Sequence, residues 1–232
     1  MMFYVTGDTH ARFQHIADFC QEKHTTKEDV LIILGDSGIN FSGLPFDEQK
    51  KKYLETLPIT IFAIHGNHDK RPYTVDGYAQ KEWRGGVVYH EEAFPHLLFA
   101  KDGEIFDLGG FQAIVMGGAY SIDKQRRLLW GYPWFSDEQP SEEIKQYVEA
   151  QLEKVDWKVD VVLSHTTPLK YEPIEIFYSN VDQTKIDKST EEWLDRIEDK
   201  LTYQKWYCGH FHIEKQVDKL QIMFNNIEEF RA

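Results

Sequence analysis

The sequence has no excess of positive charge. It carries 26 Lys and Arg against 39 Asp and Glu, for a formal net charge of -13, and its pI is about 5.2. A surface that grips nucleic acid along its length needs clustered Lys and Arg to displace the counterions of the phosphate backbone. Extended nucleic-acid binding is therefore not expected, and any phosphate binding must be local.

Cysteines and long apolar runs are also scarce. Cys20 and Cys208 are the only 2 cysteines, and neither belongs to a C-x-x-C pair or a zinc-ribbon spacing, so we expect free thiols in the core. No stretch approaches the ~20 uninterrupted apolar residues of a membrane span. The first residues show neither the basic segment nor the apolar run of a secretory signal. These absences predict a cytoplasmic protein with no membrane partner.

The composition and the apolar pattern predict one mixed α/β domain over residues 1–232. A length of 232 residues with 41% hydrophobic content suffices for one sizeable core. Runs rich in β-branched and aromatic residues predict buried strands over residues 3–6, 30–34, 59–64, 111–116, 159–163, 205–208 and 220–224. Helical spacing predicts helices over residues 13–23, 47–55, 141–154 and 190–200, the third with Ser141 as its N-cap.

The middle of the chain, residues 85–118, shows glycine-punctuated short runs without helical period. Asp102-Gly103 and Gly109-Gly110 are predicted hairpin turns. Antiparallel hairpins between two α/β parts favour two packed sheets with helices outside. Residues 166–188 lack periodicity, and a loop of that length is typical of a functional segment.

Most of the predicted strands end in residue types that ligate metals. The clusters are Gly7-Asp8-Thr9-His10, Gly35-Asp36, His65-Gly66-Asn67-His68-Asp69, Ser164-His165 and Gly209-His210-Phe211-His212. In open α/β sheets ligands bind beyond the carboxyl ends of the strands, so these loops can converge. A set of carboxylate, amide and imidazole donors suits Mn²⁺, Fe, Co²⁺, Ni²⁺ or Zn²⁺ better than Mg²⁺ or Ca²⁺.

The order of these clusters resembles the calcineurin-like metallophosphoesterase superfamily, whose pattern is D-x-H, G-D, G-N-H-D/E, a lone H, and G-H-x-H. The resemblance extends from residue 8 to residue 212. It implies a four-layer α-β-β-α sandwich with two mixed sheets flanked by helices. It also implies two divalent metal ions, with Mn²⁺ favoured and Fe, Zn²⁺, Ni²⁺ or Co²⁺ as alternatives. The implied ligands are Asp8, His10, Asp36 and His212 for one ion, and Asp36, Asn67, His165 and His210 for the other.

The sequence also departs from the pattern of the family. Ala11 replaces a common glycine, and Ile39 stands where many members carry a second Asp. Asn40 and His65 stand where the serine/threonine protein phosphatases have phosphate-binding arginines, so that branch is disfavoured. The segment 117–124, with the arginines behind it, is similar to a group of bacterial and phage metallophosphoesterases.

The expected reaction is phosphoester hydrolysis by a metal-bridging hydroxide. His68, which is not itself an expected ligand, is the expected general acid. Asp69 is a candidate partner for His68, although neighbouring side chains diverge. Candidate substrate residues are Tyr120, Lys124 and Arg127. The alternative is simple packing for Tyr120 and a solvated loop for Lys124 and Arg127.

The predicted enzyme is a phosphatase or phosphodiesterase that acts on a small molecule, a nucleotide or a nucleic-acid end. Two alternatives remain. One is a catalytically inactive binding module of the same fold, which would be expected to have lost ligands or the acid histidine. The other is a nuclease, which the net charge of -13 disfavours.

Overall fold

The computed structural model describes residues 1–179 and 181–232. Within these residues the strands are β1 (Phe3–Thr6), β2 (Val30–Ile33), β3 (Thr60–Ala63), β4 (Ala79–Trp83), β5 (Gly86–Glu91), β6 (Phe94–Ala100), β7 (Ile105–Leu108), β8 (Phe111–Met116), β9 (Val161–Ser164), β10 (Lys205–Cys208), β11 (Lys215–Val217), β12 (Leu220–Ile222) and β13 (Glu228–Glu229). The α-helices are α1 (Gln14–Lys23), α2 (Phe46–Thr56), α3 (Lys124–Trp130), α4 (Glu142–Lys154) and α5 (Ser189–Glu198). Short 3₁₀ helices lie at Pro72–Thr74, Leu169–Tyr171, Ile174–Ile176 and Gln183–Lys185. Among the described residues no helix combines the length and the apolar character needed to cross a bilayer.

Both sheets are mixed. The first has the order β13-β1-β2-β3-β6-β5-β4, and its central strands β1, β2, β3 and β6 are parallel. The second has the order β11-β12-β10-β9-β8-β7, in which β12, β10, β9 and β8 are parallel. The outer strands β4, β5, β7, β11 and β13 run antiparallel to their neighbours.

The side chains of the inner strands alternate between two apolar layers. Along β2, Ile32 packs in the core between the two sheets, together with Phe62 of β3 and Val115 of β8. Leu31 and Ile33 point to the opposite face, where they pack with residues of α1 and α2. The outer face of the second sheet packs in the same way against α4 and α5. The result is the expected four-layer sandwich of two mixed sheets flanked by helices.

The turns of the middle segment differ in part from the prediction. Gly109-Gly110 joins β7 to β8 as a hairpin turn, as expected. Asp102-Gly103 does not form the predicted hairpin, because it carries the chain from β6 in the first sheet to β7 in the second. A two-residue turn that the sequence pattern did not predict joins β4 to β5. Its residues Arg84 and Gly85 have φ of 50° and 87°.

Helix α3 lies in a segment for which the sequence pattern predicts no helix. None of its residues is buried, and Leu128, Leu129 and Trp130 are all exposed. An amphipathic period arises only where one face of a helix packs on a core. The apolar residues of α3 are consecutive, so they gave no helical signal.

Candidate metal centre

The predicted ligands lie at one edge shared by the two sheets. Asp8 follows β1, Asp36 follows β2 and Asn67 follows β3 in the first sheet, while His165 follows β9 and His210 follows β10 in the second. Each of these strands is parallel to a neighbour within its sheet, so their carboxyl ends meet at the same edge. His10 and His212 extend the first and last of these loops.

Three of these side chains form one compact group. The Nε2 of His212 lies 3.1 Å from Asp8 Oδ2 and 2.9 Å from the Nε2 of His10. The Nε2 of His10 lies 3.8 Å from the same Asp8 oxygen. These donor atoms are mutually close enough to coordinate a single ion.

A second group forms around the amide of Asn67. Its Oδ1 lies 2.8 Å from His165 Nε2 and 3.1 Å from His210 Nδ1. The Asn67 Nδ2 donates to Ser121 Oγ at 2.9 Å, which leaves Oδ1 to face the two imidazoles. Ser121 thus orients a ligand, a role that its place in the sequence did not reveal.

Asp36 stands between the two groups and offers a different oxygen to each. Its Oδ2 lies 3.9 Å from His10 Nε2, and its Oδ1 lies 3.6 Å from His165 Nε2. All seven residues expected as ligands are therefore brought together, and Asp36 is the residue that faces both groups.

The tautomer of His165 is set by a backbone contact. Its Nδ1 donates to the carbonyl oxygen of Leu34 at 2.7 Å. The proton therefore resides on Nδ1, and the lone pair of Nε2 points toward Asp36 and Asn67. A hydrogen bond of this kind orients a metal-ligating histidine.

The backbone of the site is strained at ligand positions. Four of the seven candidate ligands have φ in the left-handed region, namely His10 at 45°, Asp36 at 45°, His210 at 69° and His212 at 52°. Non-glycine residues in that region cost on the order of 1–3 kcal/mol each and persist where surrounding contacts hold them. Strain concentrated in this way is typical of a functional site.

Backbone hydrogen bonds hold the strained loops in place. The N–H of His10 donates to the Asp36 carbonyl at 2.8 Å, and the N–H of His210 donates to Asp8 Oδ1 at 2.9 Å. Gly209 has no room for a side chain, because a Cβ there would collide with the Asp8 carboxylate. The glycine before His210 therefore allows the loops of the two sheets to approach each other.

The charges of the site fit divalent cations. Asp8 and Asp36 are buried, and among the described residues no group donates to Asp8 Oδ2 in good hydrogen-bond geometry. Burial and the neighbouring carboxylate of Asp8 raise the pKa of Asp36 well above its ordinary value. Burial also opposes ionisation of Asp8, but the close contact with His212 and the other histidines lower its pKa to about 2. Bound cations would relieve this crowding of buried carboxylates.

Asp69 has a role different from the one expected. Its carboxylate accepts hydrogen bonds from the N–H groups of Ser37 and Gly38, each at 3.0 Å, and from the Ser37 hydroxyl at 3.2 Å. The expected partnership with His68 is not formed, because adjacent side chains on the loop diverge. Asp69 instead fixes the loop that carries Asp36.

His68 faces the site together with an arginine of α3. The Nε2 of His68 lies 3.9 Å from Asp36 Oδ2 and accepts from Arg127 Nη2 at 3.2 Å. Burial and the charge of Arg127 lower the pKa of His68 to about 3. Arg127 is held in turn by Asp123, which accepts from its Nε at 2.8 Å. Asp123 thus places a carboxylate near His68, in a chain that has Ile39 where many members of the family carry an Asp.

The other two candidate substrate residues differ in position. Tyr120 lines the cleft beside the ligands, whereas Lys124 is absent from its described lining. The Lys124 ammonium instead lies over the ring of Trp134, 4.3 Å from its centroid, and 5.6 Å from that of Tyr120. Lys124 therefore packs on aromatic rings, which is neither the substrate contact nor the solvated loop considered for it.

The fold and this donor set define a metal-dependent phosphoesterase. The family model described as calcineurin-like phosphoesterase matches residues 1–214, and the chain belongs to that family. Members of the family act with divalent metal ions. No curated protein matches the sequence significantly.

One solved structure has a similar fold. The protein TT1561 of Thermus thermophilus is similar to this chain with a TM-score of 0.50 and 10% sequence identity, over 96% of this chain and 89% of its own. At this level of identity the likeness concerns the fold alone. A second solved structure aligns over 95% of this chain and 88% of its own, with 14% identity and a TM-score of 0.47.

Proposed function

We propose that the chain hydrolyses a phosphoester of a small molecule or nucleotide at a centre of two divalent ions. The observation that supports this most directly is the position of Asp36, which offers one oxygen to the Asp8 side of the site and the other to the Asn67 side. A carboxylate so placed can bridge two ions. The proposed ligand sets are Asp8, His10, Asp36 and His212 for one ion, and Asp36, Asn67, His165 and His210 for the other.

When bound, two such ions would activate a shared water as the nucleophile and neutralise the non-bridging phosphate oxygens, with Mn²⁺ the favoured metal. Arg127 is placed to donate to a phosphate oxygen, since its guanidinium reaches the rim of the site through Nη2. In that role Arg127 would give up its hydrogen bond to His68 Nε2 and donate to the substrate phosphate instead.

His68 is the proposed donor of a proton to the leaving-group oxygen. Its Nε2 points toward Asp36 and is not needed by either ligand set. In the free site the imidazole is neutral at pH 7, because its pKa is about 3. Transfer of Arg127 to the phosphate would remove the neighbouring positive charge and place an anion beside the ring. Both changes raise the pKa of His68, so that Nε2 could take up a proton from solvent and then donate it to the leaving-group oxygen.

The two alternatives are weaker. An inactive binding module would have no need for the seven converging donors or for the Asp8 oxygen left without a hydrogen bond. A nuclease on long strands would need a basic groove, and the net charge of -13 opposes one.

The test is to load the purified protein with Mn²⁺, Co²⁺, Ni²⁺, Zn²⁺ or Mg²⁺ and assay paired chromogenic monoester and diester substrates. We expect metal-dependent hydrolysis of at least one. Asp36→Ala should abolish it, and the matched control Asp18→Asn, an exposed residue of α1, should not change it. Absence of metal-dependent hydrolysis on every substrate would favour the binding module instead.

A further inference from the structure

A cleft of about 310 Å³ opens directly from the metal centre. Its near end is formed by candidate ligand residues and His68, and its far wall by residues from 172–178 and 181–187 and by the start of α5. This volume is at the lower end of the range for small-molecule pockets, about 300–1,000 Å³. A leaving group attached to a phosphate at the metals would extend into this cleft.

Glu191 is the unusual residue of the far wall. It lines the cleft and is only 5% exposed, yet among the described residues its Oε2 has no hydrogen-bond partner. The nearest cation, Lys188, is already engaged at 2.6 Å with Glu172. Because burial without a partner disfavours the charged form, the pKa of Glu191 rises to about 7.

The hydroxyl of Thr166 lies beside the Glu191 carboxyl and lowers its pKa, but among the described residues neither Thr166 Oγ1 nor Glu191 Oε2 has a hydrogen-bond partner in good geometry. A buried acceptor left unsatisfied costs roughly what one hydrogen bond to a charged group contributes. A ligand that donates a hydrogen bond to Glu191 would remove that cost, so the cleft should bind a molecule with such a donor more tightly than one without it.

Part of the lining of the same cleft is flat and apolar. The rings of Phe177 and Phe211 are stacked at an interplanar angle of 17° with centroids 6.2 Å apart, and both line the cleft. Ile186 adds an aliphatic side chain to the same wall. Surfaces of this kind suit an uncharged planar ring, and Glu172 and Asp187 in the same lining disfavour a second anionic group.

We propose that the cleft binds the leaving group of the substrate as a nucleoside whose base donates an exocyclic amine to Glu191. This assignment rests on the proposed phosphoesterase function and narrows its substrate class to nucleotides with amino-bearing bases. The metal centre would hold the phosphate, the aromatic and aliphatic wall would contact the ring, and Glu191 would select the donor.

The experiment measures dissociation constants of nucleosides, which carry no phosphate and are not hydrolysed, on the Mn²⁺-loaded protein. Two matched pairs are used. The first is adenosine with purine riboside, and the second is cytidine with pyrimidin-2-one riboside, which lacks the exocyclic amine. We expect the amino-bearing member of at least one pair to bind about tenfold more tightly, as one hydrogen bond to a charged acceptor provides. In Glu191→Leu this preference should disappear, whereas the exposed neighbour Glu192, changed to Leu, should leave it intact.

Circular dichroism and Mn²⁺ content at wild-type levels in Glu191→Leu would show that the variant is folded. The wild-type protein is assayed separately with 4-nitrophenyl phosphate, which has no donor for Glu191, to test hydrolysis. Equal affinities within both pairs, or a preference that survives Glu191→Leu, would overturn the assignment. Failure of the hydrolysis assay with a preserved nucleoside preference would instead reject the proposed function and leave the cleft as a nucleoside site.

Discussion

The guanidinium of Arg71 and the carboxylate of Asp102 form a buried ion pair, with Nη1 2.6 Å from Oδ2 and the side chains 4% and 5% exposed. Asp102 lies where the chain crosses from the first sheet to the second, and its other oxygen accepts from the N–H of Gly117 at 2.8 Å. The Arg71 Nε also donates to the carbonyl of Asp137 at 3.0 Å. The pair therefore ties the crossing to the loops beyond β3 and β8.

Removal of one partner of this pair should destabilise the fold strongly. Asp102→Ala removes the buried partner of Arg71 and leaves only the half-exposed Asp137 carboxylate, 4.0 Å from Arg71 Nε, which costs about 3–5 kcal/mol of unfolding free energy. Urea unfolding monitored by tryptophan fluorescence measures the change. The control is Glu48→Ala in the exposed pair between Glu48 and Lys52, where the loss should stay below about 1 kcal/mol. Similar losses in both variants would contradict the structural role of the buried pair.

Glu191 should make stability depend on pH. Its folded pKa is about 7, above the ordinary value of 4.5, because burial favours the protonated carboxyl. The folding stability that this protonated form contributes is fully present below pH 4.5 and is lost as the pH rises through about 7. The loss is on the order of 3 kcal/mol. Among the charged groups that face it, Glu172 raises this pKa and Lys188 lowers it. Glu191→Gln should therefore raise the melting temperature at pH 8 and have little effect at pH 4.5. The control Glu192→Gln, at an exposed position, should leave the melting temperature unchanged at both pH values, and equal effects of the two variants would contradict the prediction.

His68→Ala should lower turnover without removing the metals. The imidazole is assigned to the leaving group and not to a ligand set, so the loss of kcat should be about 10²–10⁴-fold and greatest for esters with poor leaving groups. Metal content by atomic emission should remain at the wild-type ratio. His24→Asn, on an exposed histidine after α1, is the control. A parallel loss of metal and activity would show that His68 is a ligand.

Arg127→Gln should weaken substrate binding. A charge-assisted hydrogen bond to phosphate contributes about 1.5–3 kcal/mol, so KM should rise at least tenfold. Arg231→Gln is the control, because the Arg231 side chain is 71% exposed and does not line the cleft, whereas that of Arg127 is 16% exposed. If both variants raise KM equally, the effect is one of general charge and the assignment to Arg127 fails.

Asp69→Asn should act through metal affinity. Its carboxylate fixes the Ser37 and Gly38 amides behind Asp36, and loss of such support typically weakens metal binding 10–100-fold. We expect kcat to recover when Mn²⁺ is raised to saturation, which titration of activity against free metal would show. A kcat that stays low at saturating metal would restore the catalytic role first expected for Asp69.

Much of the fold was visible in the sequence because its buried strands are continuous apolar runs. The predicted strands at 3–6, 111–116 and 205–208 have the observed bounds, and Ser141 caps α4 by accepting from Ile144 N–H. Predictions failed where periodicity is absent. The exposed helix α3 and the Arg84-Gly85 turn left no pattern, and Asp102-Gly103 has the residues of a hairpin but joins two sheets.

The sequence by itself determined the chemistry of the site, because the seven ligand types follow strand ends in a fixed order and carry their own donor atoms. Only the tertiary structure decided what surrounds them. Ser121 and Arg127 are far in sequence from Asn67 and His68, and their hydrogen bonds exist only because the segment 121–127 lies beside the site. Glu191 lines the cleft only because the start of α5 forms part of its wall. Local residue pattern records what a side chain can do, whereas burial and packing decide which group it meets.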